Sequence, residues 1–210
     1  MTIPAISESQ FKERWSQLHG GADVEGIVDR WLRFSYQAAR VCVALRISPN
    51  VLTFLGLGTA IAMGFSTYAA AALLLLAISL FFDGIDGSVA IVRGTESKWG
   101  SVLDSVADRI SEAFWLYMGW RLGIPAWLVI SMWTVASTQE YARARLASLG
   151  HSEIGVVTPT ERPVRAIFMA LALIFYIFHI PGTLELSYAF LALLLFSFLQ
   201  VMRAAKSALH

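Results

Sequence analysis

The stretch that decides the fold reads DGIDGSVAIVRG over residues 83–94 and continues as GSVLDSVAD over residues 100–108. It sets four aspartates in or beside long apolar runs: Asp83, Asp86, Asp104 and Asp108. An ionised carboxylate at membrane depth costs roughly 2.5 to 3.5 kcal/mol on insertion scales, so such residues mark functional sites by default. Four carboxylates together need a compensating charge.

The composition of the whole chain indicates a membrane protein. Of its 210 residues, 57% are hydrophobic and 15% are charged, which exceeds what one soluble core requires. A helix needs roughly 20 apolar residues to cross the hydrocarbon, and six stretches approach that length: 51–71, 72–92, 99–122, 124–142, 164–181 and 184–202. We therefore predict an all-α, polytopic protein with one domain over residues 1–210, in which an amino-terminal segment (1–48) precedes a six-helix transmembrane bundle (49–205).

The segment before the first span has the pattern of an amphipathic helix over residues 24–46. Its apolar residues recur on one side from Ile27 to Leu45, whereas charged residues such as Asp29 and Arg33 lie elsewhere. A helix of this kind lies in the cytoplasmic membrane interface. Pro49 then stands where a proline favours the start of the first crossing.

The distribution of Lys and Arg predicts the orientation in the membrane. Most of them lie before the first span, in the second and fourth connections or near the carboxyl terminus; Arg121 alone lies in a connection on the other side. Positive charges favour the cytoplasm, and the residues up to Gly21 lack the apolar core of a signal peptide. We expect an integral protein of the cell (inner) membrane whose site faces the cytoplasm.

Helical spacing brings the aspartates into two stripes. At about 100° per residue, one helix face carries Asp83, Asp86, Gly87 and Ala90, and the next helix carries Gly100, Asp104 and Asp108. Converging carboxylates make an all-oxygen site that suits Mg²⁺, Mn²⁺ or Ca²⁺, and Mg²⁺ commonly shares its coordination with substrate phosphates. The alternative is a structural network, in which the aspartates are protonated or paired with Arg93, Lys98 and Arg109.

The same residues resemble the signature of the CDP-alcohol phosphotransferase family. That signature is an Asp, two residues, Asp-Gly, two residues, Ala-Arg, eight residues, Gly, three residues, Asp, three residues and a last Asp. This chain matches it without a gap from Asp83 to Asp108 except at the arginine, where it has Ile91. In relatives that arginine faces the CDP diphosphate, and Arg93 is the nearest residue that could replace it. Six spans after an interfacial helix also resemble the family's architecture.

The resemblance implies transfer of a phosphatidyl group from a CDP-linked lipid, such as CDP-diacylglycerol, to a small polar alcohol, with release of CMP, in phospholipid biosynthesis. It implies that Asp83, Asp86 and Asp104 hold a pair of Mg²⁺ or Mn²⁺ ions, and that Asp108 acts as general base and touches the second ion. It also implies a homodimer with membrane lipids and no nucleic acid as partners. The residues that it assigns to the CDP-lipid are Asn50, Thr53, Gly87, Ala90, Arg93 and Gly100.

Asn50 and Thr53 receive that role because they resemble the family's Pro-Asn-x-x-Thr motif, which helps to hold the nucleotide. Without the resemblance, the same residues are better interpreted as a helix start at Pro49 with the Thr53 hydroxyl bonded to the backbone.

Two arginine-rich elements concern the acceptor. YARAR at residues 141–145 and ERPVR at residues 161–165 resemble elements of bacterial phosphatidylinositol-phosphate synthases and their archaeal relatives, although Val164 stands where those synthases usually carry Glu. The implied acceptor is inositol phosphate-like or glycerol phosphate-like, bound through forked hydrogen bonds by Arg143, Arg145, Arg162, Arg165 and Arg203. The alternative for each arginine is an ordinary positive-inside charge at the interface.

Two other functions remain open from the sequence. A cation or proton transporter could use the aspartates as a relay, but transport predicts carboxylates spread across the membrane, whereas these cluster near the cytoplasmic ends of two helices. A non-catalytic relative that binds lipid or nucleotide is favoured by Ile91.

Overall fold

The computed structural model describes residues 6–150 and 157–209, and within these ranges the protein contains helices and no strands. The described helices are α1 (Glu8–Leu18), α2 (Gly26–Ala44), α3 (Pro49–Phe65), α4 (Ala69–Arg93), α5 (Lys98–Arg121), α6 (Ala126–Ser148), α7 (Arg162–Ile177) and α8 (Thr183–Leu209). The predicted all-α class is thereby confirmed for the described part of the chain.

Fewer helices than predicted are recognisable as membrane spans. Among the described residues, α4 and α8 are long and apolar enough to cross a membrane, and α2 with α3 would qualify as one broken span bent by 109°. Three of the other predicted spans differ for identifiable reasons: α3 and α7 have 17 and 16 residues, below the roughly 20 of a full crossing, and α5 carries charges along its length. The apolar helices support a membrane protein, and the count of six stays a prediction.

The chain forms two compact units. The first contains the residues up to Thr59 and Ala77–Ile110, and the second contains Ala60–Leu76 and the residues from Ser111 onwards. The first unit therefore holds α1, α2, most of α3, most of α4 and the first half of α5. That all residues form one domain stays a prediction.

The core of the first unit is a buried apolar cluster contributed by α1 to α4. Its members are Phe11, Leu32, Tyr36, Ala39, Leu52, Ile85, Val89, Ile91 and Val92. α1 was not predicted, because few of its residues are apolar. It begins with a capping box between Ser7 and Gln10, which satisfies exposed backbone donors at the helix start, and the fully buried Phe11 ties it to the cluster.

α2 runs from Gly26 to Ala44, close to the predicted residues 24–46. The single apolar side that we predicted is wrong in detail, because the apolar residues divide between two faces. Leu32 packs into the cluster, whereas Ile27 and Phe34 are exposed. An exposed apolar stripe on a helix with charged residues suits the membrane interface. The contact of α2 with α4 is close: a Cβ atom on Gly84 would lie 2.7 Å from the Trp31 ring.

The second unit is built mainly from α6, α7 and α8. Its buried side chains include Met132 of α6, Met169 of α7 and Leu194 of α8. Phe168 and Phe190 stack with ring centroids 4.2 Å apart, which fixes α7 against α8. This apolar packing supports the polar groups at the ends of α6 and α7 that are described below.

Candidate active site

The two aspartate helices are joined by a short turn with specific caps. α4 ends at Arg93, where Gly94 adopts a φ of +63° and the Thr95 amide donates to the Ala90 carbonyl over 2.9 Å. This is the pattern of a Schellman motif, which favours glycine. α5 then begins with the Ser97 hydroxyl accepting from the Gly100 amide over 3.0 Å, as an N-cap serine does. The turn lets α5 fold back, so that Asp104 and Asp108 of α5 come near Asp83 of α4.

Three of the four signature aspartates meet in the first unit. Asp83, Asp104 and Asp108 each offer one carboxylate oxygen, and these oxygens lie within 4.8 Å of one another. All three side chains are half-buried. Three negative charges at this spacing repel one another strongly in a partly buried site. A hard divalent cation removes that repulsion, and this oxygen donor set is of the kind that Mg²⁺ and Mn²⁺ accept.

Asp86 lies outside this group of three. It is only 6% exposed, and both of its oxygens accept hydrogen bonds: the Thr53 hydroxyl donates to Oδ2 over 2.5 Å and the Gly87 amide to Oδ1 over 2.6 Å. The Thr53 hydroxyl also lies 3.3 Å from the Pro49 carbonyl. Thr53 thus has the backbone contact of a helix start and also contacts a signature aspartate. Its role at the nucleotide stays a prediction.

The other residues expected at the CDP-lipid surround the same turn. Asn50 is exposed at the start of α3, and a Cβ atom on Gly100 would lie 4.0 Å from its side-chain oxygen. A Cβ atom on Gly87 would meet no other atom within 4 Å, so space is open beside α4. Ala90 is half-buried on that helix. Asn50 and Gly100 are therefore neighbours, and Gly87 faces room for a ligand.

Ile91 and Arg93 have different surroundings from the family's arginine. Ile91 is buried in the apolar cluster of the first unit. Arg93 donates from Nη1 to the Ile47 carbonyl over 3.1 Å, in the connection between α2 and α3. The structure thus links Arg93 to the residues that precede Asn50, and its substitution for the missing arginine stays a prediction.

The five arginines expected at the acceptor lie in the second unit, and they differ in their contacts. Arg145 and Arg203 are exposed. Arg143 binds Glu161 with both η nitrogens, at 2.9 and 2.6 Å, and also contacts the Thr158 hydroxyl at 3.1 Å. The guanidinium of Arg162 lies 5.4 Å from the centre of the Trp115 ring, within the range of a cation–π interaction.

Arg165 is the most buried of the five. It donates from Nε to Glu112 over 2.9 Å, from Nη1 and Nη2 to Glu140 over 3.0 Å, and from Nη1 to the Thr160 carbonyl over 2.9 Å. From the sequence, Glu112 lies one turn beyond Asp108 and could extend the polar seam or pair with Arg109, and Glu140 is not singled out. The signal for Glu140 was its place directly before the arginine-rich element, where a buried arginine needs a carboxylate.

Glu161 lies just before α7 and gives a pH-dependent contribution to stability. Burial raises the pKa of its carboxyl, but hydrogen bonds from Arg143 and Thr158 outweigh this and lower the pKa to about 2 from the ordinary 4.5. Because the folded pKa is the lower one, the contribution is complete above the ordinary pKa and is lost as the pH falls from there towards 2.

We therefore expect the unfolding temperature of the wild type to fall more steeply than that of a Glu161→Gln variant between about pH 5 and pH 3. Thermal unfolding in detergent at several pH values measures this. Glu25→Gln is the matched control, because Glu25 occupies the same position before α2 and is exposed. Parallel curves for wild type and Glu161→Gln would contradict the assignment.

Comparison with known proteins identifies the family to which this chain is similar. The family model described as CDP-alcohol phosphatidyltransferase matches residues 46–202, from the start of the α3 region into α8. The archaetidylinositol phosphate synthase of Pyrococcus horikoshii is 32% identical over 137 residues, which cover 62% of this chain and 72% of that protein. The phosphatidylinositol phosphate synthase of Cutibacterium acnes is 28% identical over 145 residues, which cover 63% and 70%.

Solved structures share the fold. The crystal structure of Mycobacterium tuberculosis phosphatidylinositol phosphate synthase with CDP-DAG bound superposes with a TM-score of 0.70 at 21% identity, covering 82% of this chain and 94% of that chain. The same synthase in complex with manganese and citrate gives a TM-score of 0.70 at 20% identity, covering 82% and 88%. Since the family model spans most of its length, the chain belongs to the CDP-alcohol phosphatidyltransferase family and is an enzyme of phospholipid biosynthesis.

Proposed function

We propose that the enzyme transfers a phosphatidyl group from CDP-diacylglycerol, or a similar CDP-linked lipid, to a hydroxyl of a phosphorylated polyol and releases CMP. The observation that carries this proposal is the convergence of Asp83, Asp104 and Asp108 within 4.8 Å. All three belong to the family signature, and Asp83 lies one helical turn before Gly87, where space is open. The CDP-DAG bound to the mycobacterial synthase supports this donor.

The site is proposed to work with Mg²⁺ or Mn²⁺, and the manganese in the other mycobacterial structure supports this. Asp83, Asp104 and Asp108 would hold one ion. Asp86 would join them in holding a second ion, with its hydrogen bond from Thr53 orienting the carboxylate. A bound divalent ion supplies charge neutralisation on the phosphorus and on the CMP leaving group. The carboxylates keep that charge close to the diphosphate.

The chain's own chemistry is a proton transfer at Asp108. A carboxylate oxygen of Asp108 accepts the proton of the acceptor hydroxyl while the hydroxyl oxygen bonds to the phosphorus of the phosphatidyl group. The bond from that phosphorus to the CMP oxygen breaks, and CMP leaves with its electron pair. A positioned general base of this kind contributes roughly 10²- to 10⁴-fold to a rate.

The donor is proposed to contact Asn50, Thr53, Gly87, Ala90, Arg93 and Gly100. Asn50 and Gly100 are neighbours and Gly87 leaves room for a bulky ligand, which supports a nucleotide beside the turn. Arg93 lies at the end of α4 with its guanidinium on the Ile47 carbonyl, so it can orient the residues before Asn50 as well as attract a diphosphate.

The acceptor is proposed to be inositol phosphate, with glycerol phosphate as the second choice. The chain is similar to the archaetidylinositol phosphate synthase of Pyrococcus horikoshii and to the phosphatidylinositol phosphate synthase of Cutibacterium acnes, which supports inositol phosphate. Planar guanidinium groups bind phosphate through paired hydrogen bonds, and the residues proposed to do so are Arg143, Arg145, Arg162, Arg165 and Arg203. We further propose a homodimer in the inner membrane with its site towards the cytoplasm, as the distribution of basic residues predicts.

The family membership favours transfer over the cation transport that the aspartates alone left open. A non-catalytic relative is opposed by the presence of all four signature aspartates.

Thr53 provides a test of the Asp86 contact. Thr53→Val keeps the shape of the side chain but removes the donor to Asp86, and loss of such an outer contact costs roughly 10- to 100-fold in metal affinity or activity. We expect CMP release to fall in that range, with Thr59→Val as the control, because the Thr59 hydroxyl bonds to backbone carbonyls of its own helix and, among the described residues, to no aspartate. Equal activity in the two variants would remove Thr53 from the site.

The proposed function is tested by incubating the purified enzyme with CDP-diacylglycerol, Mg²⁺ or Mn²⁺, and one acceptor at a time: inositol phosphate, glycerol 3-phosphate, serine or inositol. Mass spectrometry of the lipid product names the acceptor. We expect a phosphatidylinositol phosphate. A product only with serine or unphosphorylated inositol would contradict the phosphorylated acceptor, and no product in protein that binds CDP-diacylglycerol would contradict the transfer itself.

A further inference from the structure

We propose that Glu112 and Glu140 are positioning residues, which hold Arg162 and Arg143 for the acceptor phosphate by way of one buried anchor, Arg165. This inference rests on the proposed function, because it concerns the arginines assigned there to the acceptor. For three of those five it refines the assignment: Arg143 and Arg162 touch the phosphate, whereas Arg165 does not and holds the glutamates instead. All the residues involved belong to the second unit.

The three arginines and three glutamates form one chain of alternating charges. Arg162 Nε lies 4.0 Å from Glu112 Oε1, and the same oxygen accepts from Arg165 Nε at 2.9 Å. Arg165 Nη2 lies 3.0 Å from Glu140 Oε1, which is 3.6 Å from Arg143 Nη1. Arg143 Nη2 ends the chain on Glu161 Oε1 at 2.6 Å. Each glutamate of the middle pair therefore bridges Arg165 to one outer arginine.

Burial divides the chain into a centre and two ends. The side chains of Arg165 and Glu112 are 6% and 3% exposed, whereas those of Arg162 and Arg143 are 17% and 24% exposed. Arg165 also donates four hydrogen bonds to its neighbours. A guanidinium so enclosed has little capacity left for a ligand, so Arg165 is the anchor and the outer arginines are the contacts.

The glutamates restrict the conformations of the outer arginine side chains, which would be more mobile if they faced only solvent. A long arginine side chain loses conformational freedom when it binds phosphate, and that cost falls if a neighbouring carboxylate already holds the guanidinium. For Arg162 the ring of Trp115, 5.4 Å from the guanidinium, adds a second restraint. Neutralising Glu112 removes the negative charge that Arg165 and Arg162 share. Loss of one partner from a buried ion pair is destabilising, and Arg162 becomes free to move.

The test is a double-mutant cycle on acceptor binding. Glu112→Gln, Arg162→Gln and the double variant are compared for the acceptor KM, the CDP-diacylglycerol KM and kcat. We expect Glu112→Gln to raise the acceptor KM roughly 10- to 100-fold, as loss of an orienting partner does, with about the wild-type KM for CDP-diacylglycerol. In the Arg162→Gln background the same substitution should add less than about twofold. Glu185→Gln, an exposed position on α8, is the control.

Glu140→Gln with Arg143→Gln forms a second cycle, which replaces the first if Glu112→Gln fails to fold. Additive effects on the acceptor KM, or an equal rise in both KM values, would overturn the inference and leave the transfer reaction intact. If the wild type transfers nothing, the proposed function has failed, and calorimetric binding of inositol phosphate decides the inference instead. Binding weakened by Glu112→Gln would support it, and binding that is absent or unchanged would overturn it.

Discussion

Replacing Asp108 by asparagine should lower acceptor-dependent CMP release by roughly 10²- to 10⁴-fold, the usual contribution of a general base. Asparagine has nearly the shape of aspartate, but its amide does not accept the hydroxyl proton. At saturating metal CDP-diacylglycerol should still bind, because Asp83 and Asp104 remain as ligands and the asparagine keeps one side-chain oxygen, although the affinity for the metal itself should fall. The measurement is CMP release beside equilibrium binding of the labelled donor.

Asp23→Asn is the matched control for that substitution, since Asp23 is an exposed aspartate in the connection between α1 and α2. It should keep wild-type release. Turnover retained in Asp108→Asn would remove Asp108 as the base, and loss of donor binding at saturating metal would leave metal binding as its whole role.

The Asp83→Asn variant should lose metal affinity. Asp83 contributes one of the three oxygens that lie within 4.8 Å, and removal of a direct ligand should cost more than the roughly 10- to 100-fold of an outer contact. Titration of the enzyme with Mn²⁺, followed by electron paramagnetic resonance, measures this without any substrate. Asp104→Asn should behave in the same way.

Asp86→Asn makes the matching comparison. Asp86 lies outside the group and bonds to Thr53 and Gly87. If the enzyme binds a single ion, Asp86→Asn should lower the Mn²⁺ affinity less than Asp83→Asn does. If it binds a pair of ions, the two substitutions should lower the affinity similarly. Equal Mn²⁺ affinity in the wild type and in Asp83→Asn would contradict the proposed metal site.

The central part of the fold could be predicted because its local signals agree. The apolar run before Asp83, the helical spacing of the aspartates, Gly94 and Ser97 all indicate two helices joined by a tight turn, and α4 and α5 have that form. The convergence of Asp83, Asp104 and Asp108 follows from the same periodicity. The position of Asp86 outside that group does not follow from the periodicity, because it depends on a hydrogen bond from the Thr53 hydroxyl of α3.

Other elements depend on contacts between residues far apart in the chain. α1 has few apolar residues, and its place depends on the burial of Phe11 among residues of α2 and α4; its one sequence signal was the capping box at Ser7 and Gln10. The acidic partners of the arginines were also missed. Nothing local to Glu112 indicates Arg165, which lies 53 residues away and meets it only through packing of the second unit.

The most direct test of the transferase assignment is CMP release from CDP-diacylglycerol by the wild type and by Asp104→Ala, each with and without inositol phosphate and with and without Mn²⁺. The proposed mechanism predicts release only from the wild type, and only when acceptor and metal are both present. Release that continues without acceptor, or that survives in Asp104→Ala, would contradict a transfer carried out by the aspartates of α4 and α5.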